Sequence, residues 1–175
     1  MRRLIGAAVA ALSLMSFVAA ASAETDDPSY LNFQVGVFDL IQDHNQAAAF
    51  GLEYRHGERY WIFKPVVGVM GTSDGGAFGY AGIALDLYFG KRVVARLGFA
   101  PGAYYRGNGV DLGSVLEFRS SGEIAYRFED RSRLGITAFH LSNASTGRIN
   151  PGTEVVMLSY SMPITTLIGG KKHPD

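Results

Sequence analysis

The sequence predicts an all-β protein, an eight-stranded antiparallel transmembrane β-barrel in the outer membrane of a Gram-negative bacterium. Three observations support this fold class. Eight stretches carry apolar residues at every second position, the connections between them are alternately long and short, and an export signal precedes them in a chain without cysteine. Alternation with period two is typical of strands with one apolar face, and alternating loop lengths are typical of outer-membrane barrels.

The first residues have the composition of a secretory signal peptide. Two arginines precede an apolar stretch over residues 4–20, and Ala21-Ser22-Ala23 provides the small residues of a cleavage site. We therefore expect residues 1–23 to be removed. Residues 24–175 are then predicted to form one barrel domain, because about 150 residues is an ordinary size for a single domain.

Composition excludes several classes of function. The whole chain has 16 basic and 16 acidic residues, and cleavage of the signal removes two arginines, so the mature chain has no basic excess for binding nucleic acid. The absence of cysteine excludes disulfides, thiol chemistry and cysteine-ligated metals. No cluster of carboxylates suited to calcium accompanies the motif described below. We predict neither a metal nor a cofactor.

The strands are predicted from the period-two pattern, taken in chain order. They run over residues 30–39, 47–56, 59–70, 77–89, 92–105, 115–128, 132–143 and 152–163. In the fifth strand, for example, the apolar Ala95 and Leu97 flank the charged Arg96, so charge lies on one face only. The last two strands alternate less cleanly. A length near ten residues suits a tilted strand that crosses the hydrocarbon layer.

The connections between these strands predict how the barrel lies in the membrane. They fall at residues 40–46, 57–58, 71–76, 90–91, 106–114, 129–131 and 144–151. With the amino terminus on the periplasmic side, the short connections are periplasmic turns and the longer ones are outer loops. An even number of antiparallel strands allows the sheet to close, which leaves no unpaired edge in lipid.

A barrel of this size is filled by side chains rather than by water. The charged rows of the strands therefore predict an internal network of ion pairs and hydrogen bonds. Its predicted members are Glu53, Arg55, Asp86, Arg96, Glu117, Arg119, Glu123 and Arg127. The alternate apolar rows would then face the lipid.

A candidate catalytic hairpin joins the last two predicted strands. His140 and Ser142 continue the even-numbered apolar row of the seventh strand, and Glu154 begins the even-numbered row of the eighth. A loop centred near Gly147 would place His140 opposite Glu154, and directly opposed Cβ atoms lie about 4.5–5.5 Å apart. Ser142 follows His140 by two residues, about 6.8 Å along the strand. A nucleophile, a base and a carboxylate on one patch predict a serine esterase with a Ser-His-Glu triad.

The same register predicts the surroundings of the triad. It places Gly152 opposite Ser142, which would leave an open space where a substrate carbonyl could approach. On the other flank, the tight turn around Asp130 predicts that Phe118 lies opposite Ser142 as an apolar wall. An oxyanion donor is also needed. The candidates are Asn150 and the backbone amides near Asn143 and Gly152.

A plainer interpretation is that His140, Ser142 and Glu154 are separate polar residues at the outer rim. Their shared location argues against it, because such groups serve no packing purpose on a lipid face and ionisable ones are penalised there. The facing of the hairpin is also open at this point. Phe139 and Leu141 make the opposite face of the strand apolar too, so a bulge would reverse the facing.

These residues resemble the PagL-type lipid A 3-O-deacylases, small outer-membrane barrels that remove an ester-linked acyl chain from lipopolysaccharide. The resemblance covers the mature chain in length and strand plan, and its specific part is FHLSNA at 139–144 with NPGTE at 150–154. The matched positions are His140, Ser142 and Glu154 for the family's catalytic residues, Asn143 and Asn150 for further motif positions, and Phe118 for an upstream phenylalanine. The resemblance implies the same fold and activity, with the site on the outer surface of the barrel.

The predicted function is hydrolysis of the 3-position acyl ester of lipid A in the outer leaflet, which releases a 3-hydroxy fatty acid. The expected partners are lipopolysaccharide as substrate and the outer membrane, without nucleic acid. Two alternatives stay open: a non-enzymatic, OmpA-like structural barrel, and an outer-membrane phospholipase or esterase with another lipid specificity. The sequence also leaves open which lipid A species is preferred and whether the chain forms a homodimer.

Overall fold

The computed structural model describes residues 27–42 and 45–167 as a closed antiparallel barrel. The predicted signal peptide at residues 1–23 lies outside the described residues. Each strand pairs with its sequence neighbours, and β1 pairs with β8 to close the sheet. The strands are β1 (Tyr30–Phe38), β2 (Ala47–Arg55), β3 (Lys64–Thr72), β4 (Ala77–Phe89), β5 (Val93–Tyr105), β6 (Leu116–Arg127), β7 (Arg133–Ser142) and β8 (Thr153–Pro163), and a helical turn, α1 (Ile164–Leu167), follows β8.

The predicted eight-stranded barrel is confirmed, and the predicted bounds of every strand except β3 agree with the structure to within one residue. The agreement has a simple cause. A strand buried on one face alternates in polarity along its whole length, so both ends of the alternation are visible in the sequence.

The predicted start of β3 at residue 59 is wrong, because a tight turn occupies the residues before Lys64. Tyr60 and Phe63 exchange two backbone hydrogen bonds of 2.8 and 3.2 Å, and Trp61 between them has a φ of 62°. The connection from β2 to β3 therefore spans residues 56–63 instead of 57–58. The alternation of long and short connections is consequently less regular than the sequence predicted.

The outer surface of the barrel is apolar along all eight strands. Residues with large exposed apolar side chains include Phe33, Phe50, Val69, Ile83, Leu97, Ile124, Ile136 and Leu158, one from each strand. Within the described residues, no helix combines the length and the apolar composition needed to cross a bilayer. A belt of this kind around a closed sheet is the surface that an outer-membrane barrel presents to lipid.

The interior is polar toward the periplasmic end. All eight side chains predicted for the internal network are buried. At its centre, Arg55 Nη2 lies 2.6 Å from Glu123 Oε2, and Arg55 Nε lies 2.7 Å from Glu53 Oε1. The network also includes three buried residues that the sequence analysis did not assign to it, Asp27, Lys64 and Arg133.

The interior is apolar toward the outer end. Its buried cluster includes Phe38, Phe78, Phe139, Leu141, Val155 and Met157. This change from polar to apolar filling explains why β7 and β8 alternate poorly toward their outer ends, since their odd-numbered residues there, Phe139, Leu141, Val155 and Met157, face the apolar part of the interior. The register of β7 with β8 is continuous from Arg133 to Leu141. No bulge reverses the facing of the hairpin over these pairs.

Candidate active site

His140 and Glu154 face each other across β7 and β8, on the outer surface near the outer end of the barrel. Their predicted pairing is confirmed. The Nδ1 atom of His140 lies 3.1 Å from Oε1 of Glu154, and the two side chains are 44% and 28% exposed. The carboxylate therefore holds the imidazole by its Nδ1 atom. The pair is partly exposed, so a molecule in the lipid layer can reach it.

Ser142 is the last residue of β7 and lies on the same outer face, two residues beyond His140. The predicted pairing of Ser142 with Phe118 of β6 is confirmed. Ser142 is half-buried. Its position at the end of a regular strand fixes its backbone two residues from His140. Within the described residues the imidazole is hydrogen-bonded to Glu154 and not to Ser142, and catalytic groups often complete such a contact only when substrate is bound.

Gly152 shows where the second ring nitrogen of His140 lies. A Cβ atom added to Gly152 would lie 3.0 Å from His140 Nε2 and 2.6 Å from Cε1. The ladder ends with the pair of Leu141 and Thr153, so it does not include the predicted pair of Ser142 with Gly152, and Gly152 lies one residue beyond it. The predicted open space is also wrong, because Gly152 is buried and the imidazole of His140 fills the space beside it. The Nε2 atom is therefore near the level of the serine, while Nδ1 is held by Glu154. A base that acts on a serine needs this division between its two nitrogens.

Ser120 is a second serine beside His140, and the sequence analysis did not identify it. It pairs directly with His140 across β6 and β7, and it is exposed on the outer face. Its even number places it in the same outward-facing row of β6 as Phe118. This parity could have identified Ser120 from the sequence. Because Nε2 lies beside Gly152, the orientation of the ring favours Ser142 over Ser120 as its partner.

Asn143 and Asn150 brace the loop between β7 and β8. The Asn143 side chain is fully buried, and its Nδ2 donates hydrogen bonds to the carbonyl oxygens of Leu112 at 2.8 Å and Ile149 at 2.7 Å. The backbone N–H of Asn143 donates to Asn150 Oδ1 at 3.0 Å. The backbone N–H and the side-chain NH2 group of Asn143 therefore both donate to acceptors within the loops. Asn150 is exposed, and its Oδ1 contact orients the amide nitrogen of the same side chain.

Phe118 forms an apolar wall beside Ser142. Its ring stacks on that of Phe99 from β5, with the centroids 5.9 Å apart and the planes 12° from parallel. Phe99 is 49% exposed on the lipid face. The two rings extend the lipid-facing apolar surface of the barrel up to Ser142. An acyl chain in the bilayer would approach Ser142 along this surface.

The loop between β1 and β2 holds the other side of the hairpin, and no sequence pattern linked the two segments. The backbone N–H of Leu40 donates to the Glu154 carbonyl at 3.0 Å, and Thr153 Oγ1 donates to Asp39 Oδ1 at 3.0 Å. Gln42 Nε2 donates to the carbonyl oxygens of Pro151 at 3.0 Å and Gly152 at 3.1 Å. Residues 151–154 are consequently fixed from the β1 side of the barrel.

The charged groups at this site are the hydrogen-bonded side chains of His140 and Glu154. Among residues 27–42 and 45–167, no group of three or more His, Asp or Glu side chains is placed to hold a metal ion. The site consists of this imidazole–carboxylate pair, a half-buried serine two residues along β7, and a pair of stacked aromatic rings. This arrangement is suited to acyl transfer from an ester.

Comparison with known proteins places this geometry in context. Residues 23–163 match a family model described as lipid A 3-O-deacylase (PagL). Among solved structures, the chain is similar to the outer membrane enzyme PagL, with 19% identity, a TM-score of 0.60, and coverage of 77% of this chain and 99% of that one. It is also similar to the Yersinia pestis outer membrane protein Ail, with 10% identity, a TM-score of 0.46 and the same two coverages, 77% and 99%. No curated protein matches the chain.

Proposed function

This chain belongs to the PagL family of lipid A 3-O-deacylases, and we propose that it performs the reaction through a triad of Ser142, His140 and Glu154. The family gives the activity, which is esterase action on lipid A by an outer-membrane β-barrel. The observation that carries the residue assignment is the His140–Glu154 hydrogen bond of 3.1 Å, with the other ring nitrogen near the level of Ser142.

The reaction begins with proton transfer from Ser142 to Nε2 of His140. The serine oxygen attacks the carbonyl carbon of the 3-position ester and forms a tetrahedral intermediate. When this intermediate collapses, the bond to the sugar oxygen breaks, and His140 returns the proton to that oxygen. A water molecule, deprotonated by His140, then attacks the acyl-enzyme and releases the 3-hydroxy fatty acid and free Ser142.

Glu154 supports this cycle in two ways. By accepting a hydrogen bond from Nδ1–H, it keeps Nε2 unprotonated and directed toward the serine. It also stabilises the imidazolium that forms once His140 has taken the proton. Its partial burial at 28% exposure reduces solvent screening of this interaction.

The tetrahedral oxyanion needs donors beside Ser142. The Gly152 N–H is one candidate, because Gly152 lies one residue beyond the last ladder pair of β7 with β8 and its N–H has no backbone acceptor in the described residues. The Asn150 side-chain amide is the second, since its oxygen is held by Asn143 and its nitrogen is free to face substrate. Asn143 serves better as a loop brace, because its own donors are engaged.

The location of the site suits a lipid A substrate. The triad lies at the outer end of β7 and the start of β8, on the lipid-facing side, which corresponds to the depth of the outer leaflet. The stacked Phe118 and Phe99 provide an apolar surface for the acyl chain that leaves the sugar. All three triad residues come from one hairpin of one chain, so a homodimer is not required to complete the site.

The decisive experiment is mass spectrometry of lipid A from cells that express the wild type, Ser142→Ala or Ser120→Ala, with outer-membrane insertion checked for each. We expect loss of one 3-hydroxyacyl chain with the wild type and with Ser120→Ala, but not with Ser142→Ala. Full activity of Ser142→Ala would refute the assigned nucleophile, and loss of activity only in Ser120→Ala would transfer the role to Ser120.

The same samples distinguish the alternatives. Unchanged lipid A together with deacylated phospholipids in wild-type cells would indicate a phospholipase. Unchanged lipid A and unchanged phospholipids, despite correct insertion, would indicate a structural barrel.

A further inference from the structure

The side chain of Gln42, in the loop between β1 and β2, contacts the backbone directly beside the proposed nucleophile. Its single amide nitrogen lies 3.0 Å from the Pro151 carbonyl oxygen and 3.1 Å from that of Gly152. An amide nitrogen has two hydrogens, so it can donate one to each oxygen. Two consecutive carbonyls therefore point toward the same group.

This arrangement departs from strand geometry. In an extended strand, consecutive carbonyls point to opposite sides, and here they point to the same side because Gly152 has a φ of 68°. That conformation is readily adopted by glycine and is costly for residues with a side chain. Gln42 thus stabilises the particular backbone conformation that separates the loop from β8.

The direction of the Gly152 N–H follows from these contacts. β8 lies between β1 and β7 in the barrel, and Gln42 belongs to the loop that follows β1, so the Pro151 carbonyl points toward the β1 side. The peptide bond between Pro151 and Gly152 is trans, and a trans peptide directs its C=O and N–H in opposite directions. The Gly152 N–H therefore points toward β7, where Ser142 stands.

Among the described residues, this N–H group has no backbone acceptor, although Gly152 itself is buried beside the imidazole of His140. The ladder between β7 and β8 ends at the pair of Leu141 and Thr153, so the Gly152 N–H lies beyond the last paired residues. In the part of the chain that the structure describes, it donates no backbone hydrogen bond. A donor held by a fixed backbone beside a serine is the kind of group that stabilises an oxyanion.

We infer that Gln42 is a positioning residue, which acts through the backbone of Pro151 and Gly152 to aim the Gly152 N–H at the oxyanion of the ester. The inference rests on the proposed function, because it requires Ser142 as the nucleophile. It adds that the hairpin carrying the triad is completed by a side chain from the opposite end of the sequence.

The test compares Gln42→Met with Gln46→Met. Methionine has a similar length and no donor, and Gln46 is a matched control because it lies in the same loop, where its amide donates to the Leu40 carbonyl at 3.3 Å. The folded barrels are assayed with purified lipid A in detergent micelles. We expect Gln42→Met to lower kcat by about tenfold or more, with KM changed by less than about twofold, because only transition-state binding is lost. Gln46→Met should resemble the wild type.

Two further readouts separate positioning from general damage to the hairpin. The dependence of kcat on pH should keep its midpoint in Gln42→Met, because the His140–Glu154 pair is untouched, and Gln42→Lys should recover activity, since an ammonium group can donate to both carbonyls. A kcat within about twofold of wild type in Gln42→Met would overturn the inference, as would a shifted pH midpoint. Failure of the proposed function is a different result, namely full activity of Ser142→Ala.

Discussion

Gly152 has the strictest steric requirement of any residue at the site. Its φ of 68° is costly for any residue with a Cβ atom, and that atom would lie 2.6 Å from His140 Cε1. The imidazole would have to rotate away, and its rotation would break the contact with Glu154. The absence of a side chain at residue 152 is therefore required for the contact between His140 and Glu154.

We predict that Gly152→Ala lowers kcat/KM by at least about 100-fold, because both the base and the oxyanion donor would be displaced. The barrel should still fold, since the strain of an alanine at positive φ is only about 1–2 kcal/mol. Gly79→Ala is the control, because nothing lies within 4 Å of the added Cβ and its φ is not positive. Lipid A deacylation by the two refolded variants is the measurement, and activity near wild type in Gly152→Ala would contradict the geometry.

Individual site residues differed in how far the sequence could predict them. The pairs of His140 with Glu154 and of Ser142 with Phe118 were predicted correctly, because parity and a short loop fix the register of a hairpin. Gln42 could not be found in this way. Its contact joins segments more than one hundred residues apart. The contact forms only because β1 pairs with β8, and the residue pattern of a single strand does not show which other strand it pairs with.

At the scale of the elements, the regularity with which polar and apolar residues alternate along a strand depends on what each of its two faces contacts. β2 and β6 alternate cleanly because their inward residues, such as Glu53 and Glu123, belong to the polar network. β7 and β8 do not, because Phe139 and Val155 face the apolar part of the interior. The start of β3 was misplaced for a related reason, since the turn at residues 60–63 also contains aromatic residues. A residue pattern alone does not distinguish an interfacial turn from the beginning of a strand.

The lipid-facing row of β7 supplies a test at this scale. Ile136 is 60% exposed near the middle of the strand, while Leu116, 46% exposed, begins β6 at the outer rim. We predict that Ile136→Arg lowers the free energy of unfolding in lipid vesicles by about 2–4 kcal/mol, and that Leu116→Arg lowers it by about 0–1 kcal/mol, because the penalty depends on depth in the bilayer. Urea titration of both variants gives the difference. Equal losses would mean that the two positions lie at similar depth.

At the scale of the whole molecule, the barrel is a filled cylinder whose two ends are packed differently. A cavity of about 10 Å³ lies among Glu53, Arg55, Arg96 and Glu123, which is about the space for one water molecule. The interior thus provides rigidity rather than passage. A rigid cylinder suits this site, because the triad spans two strands and its distances depend on their register.

The ion pairs inside this cylinder should contribute to stability very differently from those at its surface. Arg55 is 2% exposed and contacts both Glu53 and Glu123, whereas Arg92 and Glu129 form a surface pair with 43% and 88% exposure. We predict that Arg55→Met lowers the free energy of unfolding by about 3–5 kcal/mol, because it leaves two buried carboxylates without their main counter-ion. Arg92→Met should leave it close to the wild-type value, since exposed pairs are screened by water. Urea unfolding of both variants in the same vesicles tests the comparison. Similar losses of unfolding free energy would show that the buried ion pairs stabilise the barrel no more than the exposed pair does.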